Sequence, residues 1–186
     1  MDRYEIRLSG SGGQGLILAG KILAEAVAIY DGRNAVQTQS YGPEARGGAS
    51  KAEVVVSDNE IHYPKAVELD LLLSLTQESC NKYVSDLKDD GILIIDSKAV
   101  VEVPKGEYTI YSAPIGEIAT KEIGKAVVTN IVALGILTKI SGIASEEAVR
   151  KAVLARVPKG TEEINTKAFD AGLEKGAELL KSSKGA

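Results

Sequence analysis

A chain of 186 residues, 44% hydrophobic and 26% charged, is long enough to bury a core and short enough to form one domain. Its net charge of −4 and pI near 5.2 lack the basic footprint that would neutralise phosphates along a nucleic acid, so nucleic-acid binding is not expected. With one cysteine, Cys80, and one histidine, His62, the chain has no internal disulfide, no structural zinc set, and not the roughly four cysteine ligands of an iron–sulfur cluster. Any metal or redox centre therefore belongs to a partner.

The first residues, Met1-Asp2-Arg3-Tyr4-Glu5, lead straight into an apolar run without the basic region of a secretion signal, and no stretch is long enough to span a bilayer. A cytoplasmic protein without a membrane partner is expected. Glu5–Ser9 reads as a first strand, then a glycine-rich turn, then a helix from about Gly15 to Ile29 with Leu16, Ala19, Ile22, Leu23 and Ala26 on one buried face. Ala35–Gln39 and Ser50–Val56 suit the second and third strands, with the loop Ser40–Gly48 between them and Asp58-Asn59 as a turn. Asp70–Leu75 and Ile92–Asp96 are continuous apolar runs of the kind buried on both faces, separated by a helix over Glu78–Leu87.

Tyr108–Tyr111 is a further strand, ended by Ala113-Pro114. A strongly apolar helix spans about Val127–Ile140 and stops at Gly142; Ser145-Glu146-Glu147 starts the next with a hydroxyl cap and two acids. An amphipathic, glycine-interrupted helix over Thr161–Leu180 precedes a tail, 181–186, expected to fray. Strands alternating with helices predict an α/β fold: a single doubly wound, mostly parallel, Rossmann-like sheet with helices on both faces, and one domain over 1–186.

The motif Gly10-Ser11-Gly12-Gly13-Gln14-Gly15 fits G-x-G-x-x-G between a predicted strand and a predicted helix. Glycines there let backbone approach a ligand, and the N–H groups of a helix start favour phosphate or pyrophosphate. The alternative is a tight turn packed against a neighbouring chain without any ligand. An NAD site calls for an acid closing the second strand, yet Ala35–Ser40 contains none, and Asp31 belongs to the preceding turn. The lysine and hydroxyl of a nucleotide-hydrolysing P-loop are also missing.

The second loop, Ser40-Tyr41-Gly42-Pro43-Glu44-Ala45-Arg46-Gly47-Gly48, offers an arginine fork to a carboxylate or phosphate, with Gly47 and Gly48 allowing another backbone close; a solvated Glu44/Arg46 loop is the bland alternative. His62 reads as a surface or interface residue at a strand edge, without a catalytic role. Cys80 reads as a small buried residue. Asn130, an amide in an apolar helix, must find partners, either at the glycine-rich loop or at a subunit contact.

Taken together, Gly10–Gly15 and Gln37–Gly48, with Tyr63-Pro64-Lys65, Asp70–Leu73, Gly91–Ser97, Asn130 and Leu134-Gly135, resemble the γ subunit of 2-oxoacid:ferredoxin oxidoreductases over nearly the whole chain. The form Ser40–Gly48 is more similar to 2-oxoglutarate enzymes than to pyruvate ones. The resemblance implies a non-autonomous subunit in oxidative decarboxylation of a 2-oxoacid to acyl-coenzyme A, or its reverse, with electrons passed to ferredoxin. It implies α, β and ferredoxin-like δ partner subunits carrying thiamine diphosphate, Mg and the iron–sulfur clusters, and a substrate pocket mostly off this chain. Gly10, Gly12, Gly13, Gln14, Gly15, Arg46, Gly47 and Gly48 are the expected coenzyme A contacts, and no residue of the chain is expected to be catalytic. The competing class is a free-standing nucleotide-binding or sensory α/β module.

Overall fold

A computed structural model describes residues 2–39 and 49–183. Six strands, β1 (Tyr4–Ser11), β2 (Asn34–Gln39), β3 (Ala49–Ser57), β4 (Leu69–Ser74), β5 (Leu87–Asp96) and β6 (Thr109–Ala113), form one sheet in the order β2-β3-β1-β4-β5-β6. β3 runs antiparallel to β1 and β2, while β1, β4, β5 and β6 pair in parallel. The exception has a simple cause: segment 40–48 is shorter than the dozen or so residues that a parallel crossover needs. The mostly parallel α/β sheet expected from the sequence is present.

Side-chain alternation divides the interior in two. Ile6, Leu8, Leu71, Leu73, Val54 and Val56 face a larger core under α1 (Leu16–Glu25), α4 (Thr129–Ser141) and α5 (Glu146–Arg156), which α6 (Glu162–Ser183) closes with Phe169. Val55, Leu72, Leu93 and Ile95 face a smaller core under α2 (Gln77–Tyr83), completed by Ala66 and Val100. β4 therefore needs apolar residues on both sides, which is why Leu71-Leu72-Leu73 reads as an unbroken run.

α4 and α6 cross at backbone contact, where a Cβ on Gly135 or Gly172 would fall 2.9 Å from the other glycine's Cα. On the α2 side, Arg7 lies opposite Glu53 in the β1–β3 register and donates to it at 2.8 Å, while Lys51 reaches the same carboxylate at 2.9 Å. Arg7 also bonds Asp86 and stacks 4.9 Å from the centre of the Tyr83 ring.

Several local expectations shift. The first helix relaxes into a π-helical turn, Ala26–Tyr30, after Glu25. The helix expected over 78–87 ends at Tyr83 with a 3-10 turn, because Leu87 is drawn into β5 opposite Leu69. A short helix α3 (Ile115–Glu117) running into a π turn, Ile118–Glu122, was not foreseen. Its start is held by Asp96 Oδ2 accepting from Gly116 N at 2.7 Å, a partner twenty positions upstream that local sequence does not display. His62 sits exposed in irregular chain rather than at a strand edge, and the last helix continues to Ser183. No helix among the described residues is long and apolar enough to cross a membrane.

Candidate functional site

The chain leaves β1 toward α1 on one face and β4 toward α2 on the other, and the neighbouring strands then fan out in opposite directions. That divergence is a topological switch point, where the carboxyl ends of parallel strands open a crevice. Its floor is tied together: Ser9 Oγ donates to Leu73 O at 2.9 Å and lies 3.0 Å from Ser74 Oγ, and Leu75 N donates to Ser9 O at 2.9 Å. The glycine-rich segment and Leu75-Thr76 form the lips.

Of the residues singled out from the sequence, Gly10 is buried at the end of β1, and Gly12 and Gly13 are exposed at the turn. Gln14 folds back so that its Oε1 accepts from Ser11 N at 2.7 Å, closing the turn over Gly10; a Cβ on Gly10 would strike that amide and crowd Leu75 Cβ at 3.2 Å. Gly13 and Gly15 have φ of 87° and 72°, left-handed backbone that costs any other residue about 1–2 kcal/mol. Gly15 is also the N-cap of α1. Arg46, Gly47 and Gly48, with Tyr41 and Glu44, lie outside the described residues. Ala49, the next residue, pairs with Ser11, and Gln39 at the end of β2 pairs with Ala52, so both flanks of segment 40–48 stand on the edge that carries the glycine-rich turn.

A second helix begins at this edge. Asn130, in the first turn of α4, donates from Nδ2 to Gly15 O at 3.1 Å, as the glycine-rich-loop alternative for its partner anticipated. The starts of α1 and α4 therefore meet, and neither carries a side-chain cap or an acid in its first turn. The contrast within the molecule is consistent. Thr76 caps α2, Ser145 caps α5 with Glu146 and Glu147 behind it, and α6 begins with Glu162 and Glu163. A 3-10 turn, Ala126–Val128, runs straight into α4 and Thr129 N donates to Ala126 O, so the free N–H groups and dipole that favour an anion at this turn are those of α1.

Thr76 and Gln77 escaped the sequence reading. Gln77 Oε1 accepts from Val101 N and Glu102 N at 2.9 and 3.0 Å, and its Nε2 donates to Glu102 O at 2.7 Å, locking residues 101–102 against α2 beside the crevice. A glutamine directly after a helix-capping threonine was the available signal. Cys80 is wholly buried and burial pushes its thiol up, which suits packing rather than ligation or nucleophilic chemistry.

Comparison with known proteins identifies the fold and the family. The chain is 52% identical to 2-oxoglutarate synthase subunit KorC of Methanocaldococcus jannaschii, over 95% of this chain and 96% of that protein. It superposes on the γ subunit of a keto/oxoacid ferredoxin oxidoreductase from Geobacter sulfurreducens with a TM-score of 0.90 and 51% identity, covering 96% of this chain and 99% of that one. The same fold, at TM-score 0.84 and 24% identity, forms 32% of a 2-oxoglutarate:ferredoxin oxidoreductase chain from Magnetococcus marinus. Residues 5–175 match the model of the pyruvate ferredoxin/flavodoxin oxidoreductase family, and the chain belongs to that family.

Proposed function

We propose that the chain is the γ subunit of a 2-oxoglutarate:ferredoxin oxidoreductase and that its glycine-lined crevice receives the phosphates of coenzyme A. The observation that carries the second part is the uncapped, acid-free start of α1 at a turn where Gly13 and Gly15 hold left-handed backbone. Relatives of matching length supply the first part, since one is named a 2-oxoglutarate synthase subunit and another a γ subunit.

The complex converts a 2-oxoacid and coenzyme A to acyl-coenzyme A and carbon dioxide, with electrons leaving for ferredoxin. Thiamine diphosphate with Mg supplies the carbonyl chemistry and iron–sulfur clusters the electron path, both on α, β and δ subunits. This division fits the donor set: a single buried thiol cannot make the roughly four thiolate bonds of a cluster. The chain's own contribution is positioning. Backbone N–H groups around Gly12–Gly15 hold the anion, and Arg46, three residues before Ala49 in the sequence, is the cation that joins them.

The test is kinetic, in the assembled complex. Gly12→Ala and Arg46→Ala raise the KM for coenzyme A while leaving the KM for 2-oxoglutarate unchanged; an unaltered coenzyme A value overturns the positioning role. A tagged chain expressed with its genomic neighbours brings down thiamine- and cluster-bearing subunits, and recovery as a bare monomer counts against the assignment.

A further inference from the structure

β6 closes one side of the sheet, and its outer edge is bare. Thr109–Ala113 pair with Ile92–Asp96 of β5 in unbroken parallel register. Ala113 O accepts from Ser97 N at 2.8 Å, so Ala113 directs its backbone groups toward β5. These groups alternate along a strand, so Thr109 and Tyr111 face β5 as well, while Ile110 and Ser112 turn both N–H and C=O away from the sheet. Among the described residues no other segment bonds them.

An edge strand is ordinarily guarded by lysine, proline, a bulge or a covering element. From Tyr108 to Ala113 no residue is charged, no proline interrupts the strand, and the register with β5 has no shift. Thr109, Ile110 and Ser112 are exposed, Ile110 by 45%. The opposite edge differs: β2 is partly covered from Ala35 onward, and Gln37 Nε2 donates to Thr38 O at 3.1 Å, so that strand satisfies one of its own carbonyls.

The bare edge is complementary to itself. A second β6, laid antiparallel about a twofold axis at Tyr111, sets Ile110 opposite Ser112 of the other copy and Ser112 opposite its Ile110. Each of these pairs exchanges both of its N–H···O=C bonds. Tyr111 then meets its own counterpart as the closer, non-hydrogen-bonded pair, on the face that holds the larger core, and aromatic pairs there stabilise a sheet. On the other face the two Ile110 side chains lie diagonally across the join. Pro114 has no N–H and ends the pairing. No charged side chain of the strand meets its like, and the twofold arrangement closes, whereas a parallel one would leave a further edge open.

We propose that β6 is a homotypic docking edge through which two copies of this chain join their sheets into one. Five residues a side make a small interface, so the dimer is reversible and depends on concentration.

The experiment is sedimentation velocity of the full chain over a concentration series, followed by crosslinking that reads the register. Wild type passes from monomer to dimer as concentration rises. Ile110→Lys, at an exposed position, keeps the melting temperature of the dilute protein and raises the dimer dissociation constant at least about tenfold, because two lysines then face each other across the join. Opposed hydrogen-bonded residues stand with Cα atoms about 5.5 Å apart, within disulfide reach. An equimolar mixture of Ile110→Cys and Ser112→Cys chains therefore gives a disulfide-linked dimer on oxidation in air, and neither variant does so alone; Cys80 is buried and does not compete. A chain that stays monomeric throughout the series overturns the proposal, as does a dimer indifferent to Ile110→Lys or a crosslink of equal yield with and without mixing. Loss of the mixed crosslink in the assembled complex gives the edge to another subunit and overturns it too.

Discussion

Asn130 Nδ2 donates to Gly15 O at 3.1 Å, fastening the start of α4 to the start of α1 across 115 positions of chain. Gly15 O also accepts from Ala19 N at 3.0 Å, so one carbonyl serves as both the first link of α1 and the anchor of α4. The site's geometry depends on this shared oxygen, because it sets how closely the two helix ends converge on the crevice.

Gly15→Ala therefore meets two obstacles. Left-handed backbone at φ 72° costs about 1–2 kcal/mol, and the new Cβ would stand 2.5 Å from Asn130 Nδ2. The expected loss in a urea titration is about 2–3 kcal/mol. Adding Asn130→Ala removes the collision and leaves the backbone strain, so the double variant is more stable than the sum of the single losses allows. Strict additivity in that cycle would show that the two residues do not share the contact.

The crossing of α4 and α6 makes a second, independent demand. Gly172→Ala forces a Cβ against Val132 O and within 3.1 Å of Ile136 N, groups fixed by the helical backbone and unable to yield. Separating the helices opens the core around Phe169, and overpacking of this kind costs about 1–3 kcal/mol. Thermal unfolding of the variant should fall by several degrees. Gly124→Ala, at φ 87° with open space around it, isolates the contribution of backbone strain alone. A loss at Gly172 no greater than at Gly124 would contradict the steric account.

Much of this architecture was legible because periodicity reports on it directly. Leu16, Ala19, Ile22, Leu23 and Ala26 are all buried as their helical spacing requires, and Ser145 accepts from Ala148 N at 3.1 Å as a capping hydroxyl should. The glycine-rich turn was recognisable because glycine is a backbone signal that needs no distant partner to be read. What stayed hidden depends on residues remote in sequence: Asp96 starting the helix at Ile115, Leu69 drawing Leu87 into a strand, and Gln77 fixing residues 101–102. The bond from Asn130 to Gly15 joins α4 to α1 across 115 positions, a pairing that no local pattern in either helix displays.

Glu53 predicts an acid limb of stability. Burial opposes its charge, but the hydrogen bond from Lys51 and the nearby Arg7 guanidinium outweigh that and hold its carboxyl below the ordinary value of 4.5. A carboxylate whose folded value is depressed adds stability that is fully present above the unfolded value and is lost as pH falls through the folded one. Wild-type protein should thus lose stability below about pH 4.5, near the reference range for an unperturbed glutamate. Glu53→Gln leaves Arg7 short of a buried partner and is destabilised most at neutral pH, by about 3 kcal/mol. Its melting temperature should approach that of wild type in acid, and a gap that stays constant from neutral pH to below pH 4 would refute the assignment.

Gln14 separates the turn's structural role from the anion-binding role proposed for it. Its Oε1 accepts from Ser11 N at 2.7 Å, and a glutamate at this position can accept the same bond with equal reach. The carboxylate would also lie at the start of α1, where a negative charge interacts favourably with the helix dipole by about 0.3–1 kcal/mol. Gln14→Glu should therefore fold at least as stably as wild type in a melting experiment. In the assembled complex the same charge occupies the place proposed for a phosphate at the start of α1, and at an effective dielectric near 20 two charges about 4 Å apart repel by about 4 kcal/mol. Part of that is screened at the exposed turn, so the KM for coenzyme A should rise about tenfold or more while the KM for the 2-oxoacid stays unchanged. Gln14→Ala, which loses the bond to Ser11 but introduces no charge, should show the reverse pattern: reduced stability and a smaller kinetic effect. If the glutamate variant binds coenzyme A as well as wild type does, the anion lies somewhere other than this turn.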